Sequence, residues 1–297
     1  MRYGKENSAM LEESNFMNIF VAVNEAYLTP LSVMLYSLQY HNSLLLKVYI
    51  LHLGISKSVQ EKFCNKMKKS TKRIKVIFLE VNANDINKNI NYGRFGMETV
   101  LRLALLRVLP LDINKILWID ADVIIKGNIQ KFYEFADYGQ YAVVCEDMLP
   151  KNEKHELFSK LGLKMSDKYF NAGIILFYLT NMRKDFKEND FFRWMNDNPD
   201  KLNYPDQNTL NICLRKKLCW VKPEIYNLQL LRVTSHMKNS GIINKSKILH
   251  YNTKEKPWVD NYSGVGEREF WKYGIRVLGI KCCLRHYIKK INLRYDI

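Results

Sequence analysis

No apolar run in the 297-residue chain reaches the 18 or so residues needed to span a bilayer. Residues 1–17 lack the apolar centre of a secretory signal; they are polar, mixed in charge and read as a disordered extension. Met10 and Met17 stand as alternative translation starts, because folded pattern begins only at Ile19. The six cysteines (Cys64, Cys145, Cys213, Cys219, Cys282, Cys283) form no Cys-x-x-Cys pair, and no His/Cys group has zinc-ligand spacing. Idle or buried thiols in a reducing compartment are therefore expected, not a disulfide framework. Internal repeats and low-complexity segments are missing too. Acidic residues are scarce, 30 against 46 basic, and the resulting net charge of +16 favours an acidic partner: nucleic acid, a phosphorylated substrate or an anionic membrane. What is present is 47% apolar residues, enough to bury one large α/β core or two small ones.

The chain is organised around residues 115–128, K-I-L-W-I-D-A-D-V-I-I-K-G-N, where an apolar strand runs into two carboxylates. Strand side chains alternate with period two, so Asp120 and Asp122 are expected to point the same way, about 7 Å apart at Cα. Two carboxylates that close repel each other and desolvate badly unless a cation sits between them. A hard divalent ion such as Mn²⁺ or Mg²⁺ suits oxygen ligands and shares its other positions with substrate phosphates. The alternative is an acidic strand end facing solvent.

Before this motif, residues 19–23, 46–53 and 74–81 read as buried strands, alternating with helical patterns over 29–38 and 56–69. Such alternation predicts a parallel sheet covered on both faces, with ligands beyond the carboxyl ends of its strands. Asn24 and Asp120 both fall at that edge. Residues 82–96 read as a functional loop and 98–109 as a helix carrying Arg102 and stopped by Pro110. Residues 129–135 read as a short helix, 140–147 as a strand, 148–168 as irregular, 169–177 as a strand, and 185–198 and the stretch from 204 as helices. Gly173 marks either close approach of a ligand or tight packing. Asp206 is explained by helix capping alone, whereas Gln207 implies a site if it is buried. His250 ends an apolar stub that leads to Lys256-Pro257-Trp258. A neutral imidazole can complete an oxygen-rich metal site, and Lys256 can reach a phosphate held there.

Taken together these residues resemble glycosyltransferase family 8, retaining transferases that use a nucleotide-activated sugar, and in particular its bacterial lipopolysaccharide and surface-polysaccharide glucosyl- and galactosyltransferases. The resemblance covers residues 19–258. Asp120-Ala121-Asp122 matches the family's metal motif, and residues 250–258 match its H-x-x-G-x-x-K-P-W motif. It implies a GT-A, Rossmann-like α/β fold, a mixed but mainly parallel sheet flanked by helices, over residues 18–262. It implies that Asp120, Asp122 and His250 bind Mn²⁺ or Mg²⁺ and that Lys256 contacts a diphosphate. Asn24 and Tyr27 are placed at the uracil and ribose, Arg102 at the nucleotide sugar, and Asn171, Asp206 and Gln207 around the donor sugar, with Asp206 and Gln207 nearest the anomeric carbon. Asp147 resembles, more loosely, a position lining the sugar and acceptor pocket. Two residues depart from the pattern: Asn24 replaces a common Asp, and Thr253 replaces the motif's Gly.

The function expected from this resemblance is transfer of a hexose, glucose or galactose, from a UDP-sugar to a glycan or glycolipid acceptor in lipopolysaccharide or polysaccharide synthesis. A metal-dependent nucleotidyltransferase would also use paired aspartates, but leaves 250–258 unexplained. A nucleic-acid binder is permitted by the charge, but no basic–aromatic module supports a nucleic-acid partner. Residues 263–297 read as a basic amphipathic segment, with Val277, Ile280, Leu284, Tyr287, Ile288, Ile291 and Tyr295 at helical spacing beside Lys281, Arg285, Lys289, Lys290 and Arg294. Such a segment either packs on the catalytic domain or lies on an anionic membrane surface, a peripheral site on the cytoplasmic face.

Overall fold

The computed structural model describes residues 16–82, 96–259, 262 and 264–295, the last five without their side chains. The expected extension up to residue 15 and most of the expected 82–96 loop lie outside these residues. In chain order the strands are β1 (Phe16–Ala22), β2 (Leu45–His52), β3 (Ile74–Glu80), β4 (Lys115–Ile119), β5 (Val123–Ile125), β6 (Ala142–Glu146), β7 (Phe170–Tyr178), β8 (Leu218–Val221), β9 (Leu228–Gln229) and β10 (Ile248–His250). The helices used below are α1 (Leu28–His41), α2 (Lys57–Ser70), α3 (Lys151–Leu161), α4 (Asp190–Asp197), α5 (Pro205–Leu214), α6 (Glu267–Leu278) and α7 (Ile280–Tyr295).

Seven strands form one sheet in the order β3-β2-β1-β4-β7-β6-β8. β1, β2, β3 and β4 are parallel, β6 and β8 are parallel, and β7 runs antiparallel to both β4 and β6. Only β7 is therefore reversed, and its first residues reach the same edge as the last residues of β1, β4 and β6. Period-two alternation sends Ile19, Val21, Leu117, Ile119, Ile174 and Leu176 to one face, against Leu31, Leu35 and Leu38 of α1 and Phe63 and Met67 of α2. Phe20, Trp118, Ile175 and Phe177 go to the other, against Leu101, Leu105, Met195 of α4 and Leu210 of α5. Burying each such side chain contributes about 1.5–3 kcal/mol before entropy is charged.

A second sheet, β5-β10-β9, holds the other half of the site. Its Ile124, Leu228 and Leu249 pack with Tyr251, Tyr262 and with Phe270, Trp271 and Tyr273 of α6. α6 is thus part of the folded unit rather than a detached segment. α7 is divided: Cys283 and Tyr287 pack against that cluster and His286 is buried, while Ile280, Leu284 and Ile288 are exposed.

Several expectations need correction. The 148–168 stretch is not irregular, because Leu157, Phe158 and Leu161 give α3 a buried face and Gly162, at φ +67°, closes it. The 98–109 helix is a 3-10 segment, Met97–Ala104, followed by one α-turn, Leu105–Val108. The 185–198 helix is shorter, α4 alone, with a separate helix, Leu179–Asp185, ending where it was expected to begin, and β1 begins at Phe16, ahead of Ile19. The strand through Asp120 and Asp122 is not continuous: β4 stops at Ile119, the chain turns, and β5 joins the other sheet.

Candidate active site

That turn carries the two carboxylates from one sheet to the other, and β10 brings His250 beside them. β10 pairs antiparallel with β5 so that His250 lies opposite Val123, and the Tyr251 N–H donates to the Asp122 carbonyl at 2.9 Å. Asp120, Asp122 and His250 converge with one ligand atom each, all within 4.8 Å of one another. His250 Nε2 stands 3.4 Å from Asp122 Oδ1 and 3.8 Å from Asp120 Oδ2. The longer separation exceeds a hydrogen bond, and both suit donors sharing a small cation at about 2.1 Å. The donor set, two carboxylates and an imidazole, fits a Mn²⁺- or Mg²⁺-sized ion.

Asp120 is held by groups behind it. Trp118 Nε1 donates to its Oδ1 at 2.8 Å, and Arg102 Nη2 does so at 3.0 Å, leaving Oδ2 to face His250. The 3-10 segment brings Arg102 there, buried, with its guanidinium carbon 4.2 Å from the Trp118 ring centre and its Nε 2.9 Å from Asp206 Oδ2. Asp122 is held from the front, where Lys256 Nζ donates to its Oδ2 and to the Tyr251 carbonyl, each at 2.6 Å. Burial alone would raise the Asp122 pKa, but the Lys256 ammonium, joined by His250 when its ring is protonated, outweighs it and holds the carboxyl below its usual range. The same pairing lifts Lys256 above its ordinary value despite burial.

The other end of the cavity is built from amides. Asp147, at the end of β6, accepts from Gln207 Nε2 at 2.9 Å and from Asn171 Nδ2 at 3.2 Å. The amide of Gln229, turned so that its nitrogen faces this carboxylate, donates to Oδ1 at 2.8 Å. Burial raises the Asp147 pKa, opposed by these neutral donors. Burial likewise raises Asp206, opposed by Arg102. Asp206, the second residue of α5, lines the cavity, while Tyr204 at the helix N-cap makes no side-chain capping bond. Gln207 is buried and bonded at both ends of its amide, its Oε1 accepting from the Ala172 N–H at 2.8 Å with one lone pair left and its Nε2 also reaching the Tyr169 hydroxyl at 3.2 Å. Gly173 serves packing: a Cβ there would lie 2.3 Å from His250 Cε1.

Asn24 caps the turn after β1, accepting from the Tyr27 N–H at 3.3 Å, and the Tyr27 ring meets Trp258 edge to face at 5.9 Å. Thr253 has no positive φ, so the loop does not use the freedom of the glycine it replaces. All the candidate residues, Asn24, Tyr27, Arg102, Asp120, Ala121, Asp122, Asp147, Asn171, Asp206, Gln207, His250 and Lys256, line one cavity of about 510 Å³. The reading of the sequence missed two supports. Trp271 of α6 donates to the Pro257 carbonyl at 2.9 Å and so anchors the Lys256 turn, and Asn227 accepts from His250 Nδ1 at 2.9 Å. Neither lies in a motif, and Asn227 precedes a strand of only two residues.

Known proteins resemble this arrangement. A lipopolysaccharide 1,2-glucosyltransferase of Escherichia coli K12 is 24% identical over 259 residues, 84% of this chain and 75% of that protein. A putative glycosyltransferase of Haemophilus influenzae is 29% identical over 208 residues, 68% of this chain but only 61% of that protein. The crystal structure of the galactosyltransferase LgtC with donor and acceptor sugar analogs superposes with a TM-score of 0.71 at 20% identity, covering 87% of this chain and 95% of that one. GlyE of Streptococcus pneumoniae gives 0.64 at 19% identity, over 88% of this chain and 60% of that one. These likenesses establish the GT-A fold. The sequence model of glycosyl transferase family 8 matches residues 18–262, from β1 past the Lys256 turn, and the chain belongs to that family.

Proposed function

We propose that this glycosyltransferase moves a hexose, glucose or galactose, from a UDP-sugar to a glycan or glycolipid acceptor with retention of configuration, in lipopolysaccharide or cell-surface polysaccharide synthesis. The observation that carries the reading is the convergence of Asp120, Asp122 and His250 beneath Lys256 in a cavity whose far end is lined by Asp147, Asn171, Asp206 and Gln207. The names of the relatives, a lipopolysaccharide glucosyltransferase and a galactosyltransferase, support the class of donor and acceptor.

Asp120, Asp122 and His250 would hold Mn²⁺ or Mg²⁺, which when bound stabilises negative charge developing on the diphosphate leaving group. Lys256 supplies a second positive charge to the same phosphates. Asn24, with donor and acceptor on one amide, suits the uracil edge, and Tyr27 suits the ribose. Arg102 fixes Asp120 and Asp206 in register with the donor sugar, and Asp147, Asn171 and Gln207 offer hydrogen bonds to sugar hydroxyls. The test is hydrolysis and transfer with UDP-glucose and UDP-galactose, with Mn²⁺ and in EDTA. Metal-stimulated release of UDP and an α-linked product are expected; full turnover in EDTA, or a β-linked product, overturns the reading.

A peripheral position on the cytoplasmic face of an anionic membrane belongs to the same proposal. Among the described residues no helix is long and apolar enough to cross a membrane. Support comes from α7, whose Ile280, Leu284 and Ile288 form an exposed stripe flanked by exposed Lys281 and Arg285. Each basic residue at such a surface is worth roughly 1 kcal/mol. Changing the three apolar residues to glutamine, which leaves α6 in place, is expected to abolish co-sedimentation with anionic vesicles at low salt. Equal sedimentation of the variant would refute the surface reading.

A further inference from the structure

Asn227 is fully buried where the chain enters β9, and its two amide groups make different contacts. Its Nδ2 lies 2.9 Å from Asn171 Oδ1, and its Oδ1 lies 2.9 Å from His250 Nδ1. Amide ends and imidazole tautomers are assigned from their hydrogen-bond partners, and here the partners leave one assignment. Asn171 is pinned from both sides: the Gly173 backbone N–H, which can only donate, points at its Oδ1 at 3.0 Å, and the Asp147 carboxylate takes its Nδ2 at 3.2 Å. Reversing the Asn171 amide would set donor against donor at Gly173. Asn171 Oδ1 therefore demands the amino group of Asn227, which turns the Asn227 oxygen toward His250.

We propose that Asn227 is a positioning residue that fixes His250 in the Nδ1–H tautomer, so that the Nε2 lone pair is presented to the gap between Asp120 and Asp122. The direction is set by the Gly173 N–H and passed through two amides. Gly173 contributes twice, because its missing Cβ is also what lets the His250 ring lie against the strand. The same relay ends on Asp147, so one chain of hydrogen bonds ties the sugar end of the cavity to the metal end. Its relevance to catalysis rests on the reading of His250 as a metal ligand, but the tautomer itself does not.

The experiment uses the full chain labelled with ¹⁵N-histidine and kept metal-free at a pH where His250 is neutral, with His250→Gln to assign its signals. Wild type is expected to show a protonated Nδ1 and an unprotonated Nε2; a protonated Nε2 overturns the proposal whether or not any variant folds. Asn227→Leu, close in size but without an acceptor, is expected to release the tautomer, whereas Asn227→Asp gives up the donor to Asn171 Oδ1 but keeps an acceptor on Nδ1, and so should preserve the tautomer at a cost in stability. Mn²⁺ affinity, read by electron paramagnetic resonance without nucleotide, is expected to fall about 10–100-fold in Asn227→Leu and to fall less in Asn227→Asp. A leucine variant that folds and keeps both tautomer and affinity refutes the role of Asn227. If wild type binds no Mn²⁺ while its tautomer is as stated, the metal reading fails and the positioning stands.

Discussion

The two ends of the cavity keep half-buried carboxylates in opposite ways. At the metal end, Asp122 faces a full positive charge on Lys256 and an imidazole, and it stays ionised below the normal carboxylate range. At the sugar end, Asp147 faces amides, and burial pushes its pKa upward. Asp206 stands between, more deeply buried than Asp147 and leaning on Arg102, which also holds Asp120. On the proposed function, the carboxylate meant for a cation is kept charged by a displaceable one, whereas the carboxylate meant for sugar hydroxyls is held mainly by neutral donors, with the more distant charge of Arg232 beside them.

The largest effects are expected from emptying the metal end. Asp122→Ala and His250→Ala should each lower turnover at least about a hundredfold, measured as UDP release with saturating Mn²⁺. Near-wild-type rates would dissolve the distinction between the ends. Next comes the metal-free fold. Asp122→Asn leaves a half-buried Lys256 without its partner and should cost about 2 kcal/mol of stability, less than for a fully buried pair because the site is partly wet. Asp147→Asn keeps an oxygen for Gln207 and Asn171 and should change stability by under about 1 kcal/mol. Equal losses in denaturant melts would mean that both ends rely on charge.

Lys256→Ala should weaken UDP binding about tenfold in the presence of metal, by calorimetry, since its partner there is a ligand phosphate. The smallest effect is on pH dependence. Because the folded-state pKa of Asp122 is depressed, its stabilisation is present above the unfolded value near 4 and lost as pH falls through the folded value. The gap between wild type and Asp122→Asn should thus close on acidification. Asp147 is raised, so its ionisation costs stability as pH rises through the folded value, and Asp147→Asn should gain on wild type in that direction. Parallel pH profiles for the two variants would contradict the contrast.

The metal end was far more legible than its supports. Asp120, Asp122, His250 and Lys256 stand in two short motifs, so residue type and spacing announced them, although the strand expected to carry both aspartates proved to be a turn between sheets. The parallel half of the main sheet followed from alternating strand and helix patterns. The reversal of β7 did not, because an all-buried strand reads alike in either direction. α3 was hidden by its many polar residues, with only Leu157, Phe158 and Leu161 to betray a buried face. Asn227 and Trp271 were invisible for a different reason: each acts on a residue that is near only in space, and nothing adjacent in sequence marks them.

The pairing of β10 with β5 also sets when the enzyme can first work. The chain emerges from the ribosome N-terminus first, so Asp120 and Asp122 are made long before their partners. Ile248 must then return to Ile125 across a long intervening stretch, a closure of the slow, non-local kind. Until it does, His250 and Lys256 are absent from the cavity, and Asp122 lacks its partners although Asp120 already has Trp118 and Arg102. On the proposed function, catalytic competence is therefore a late event in synthesis, and a nascent chain halted before β10 would carry all seven strands of the main sheet with its cavity still lacking His250 and Lys256.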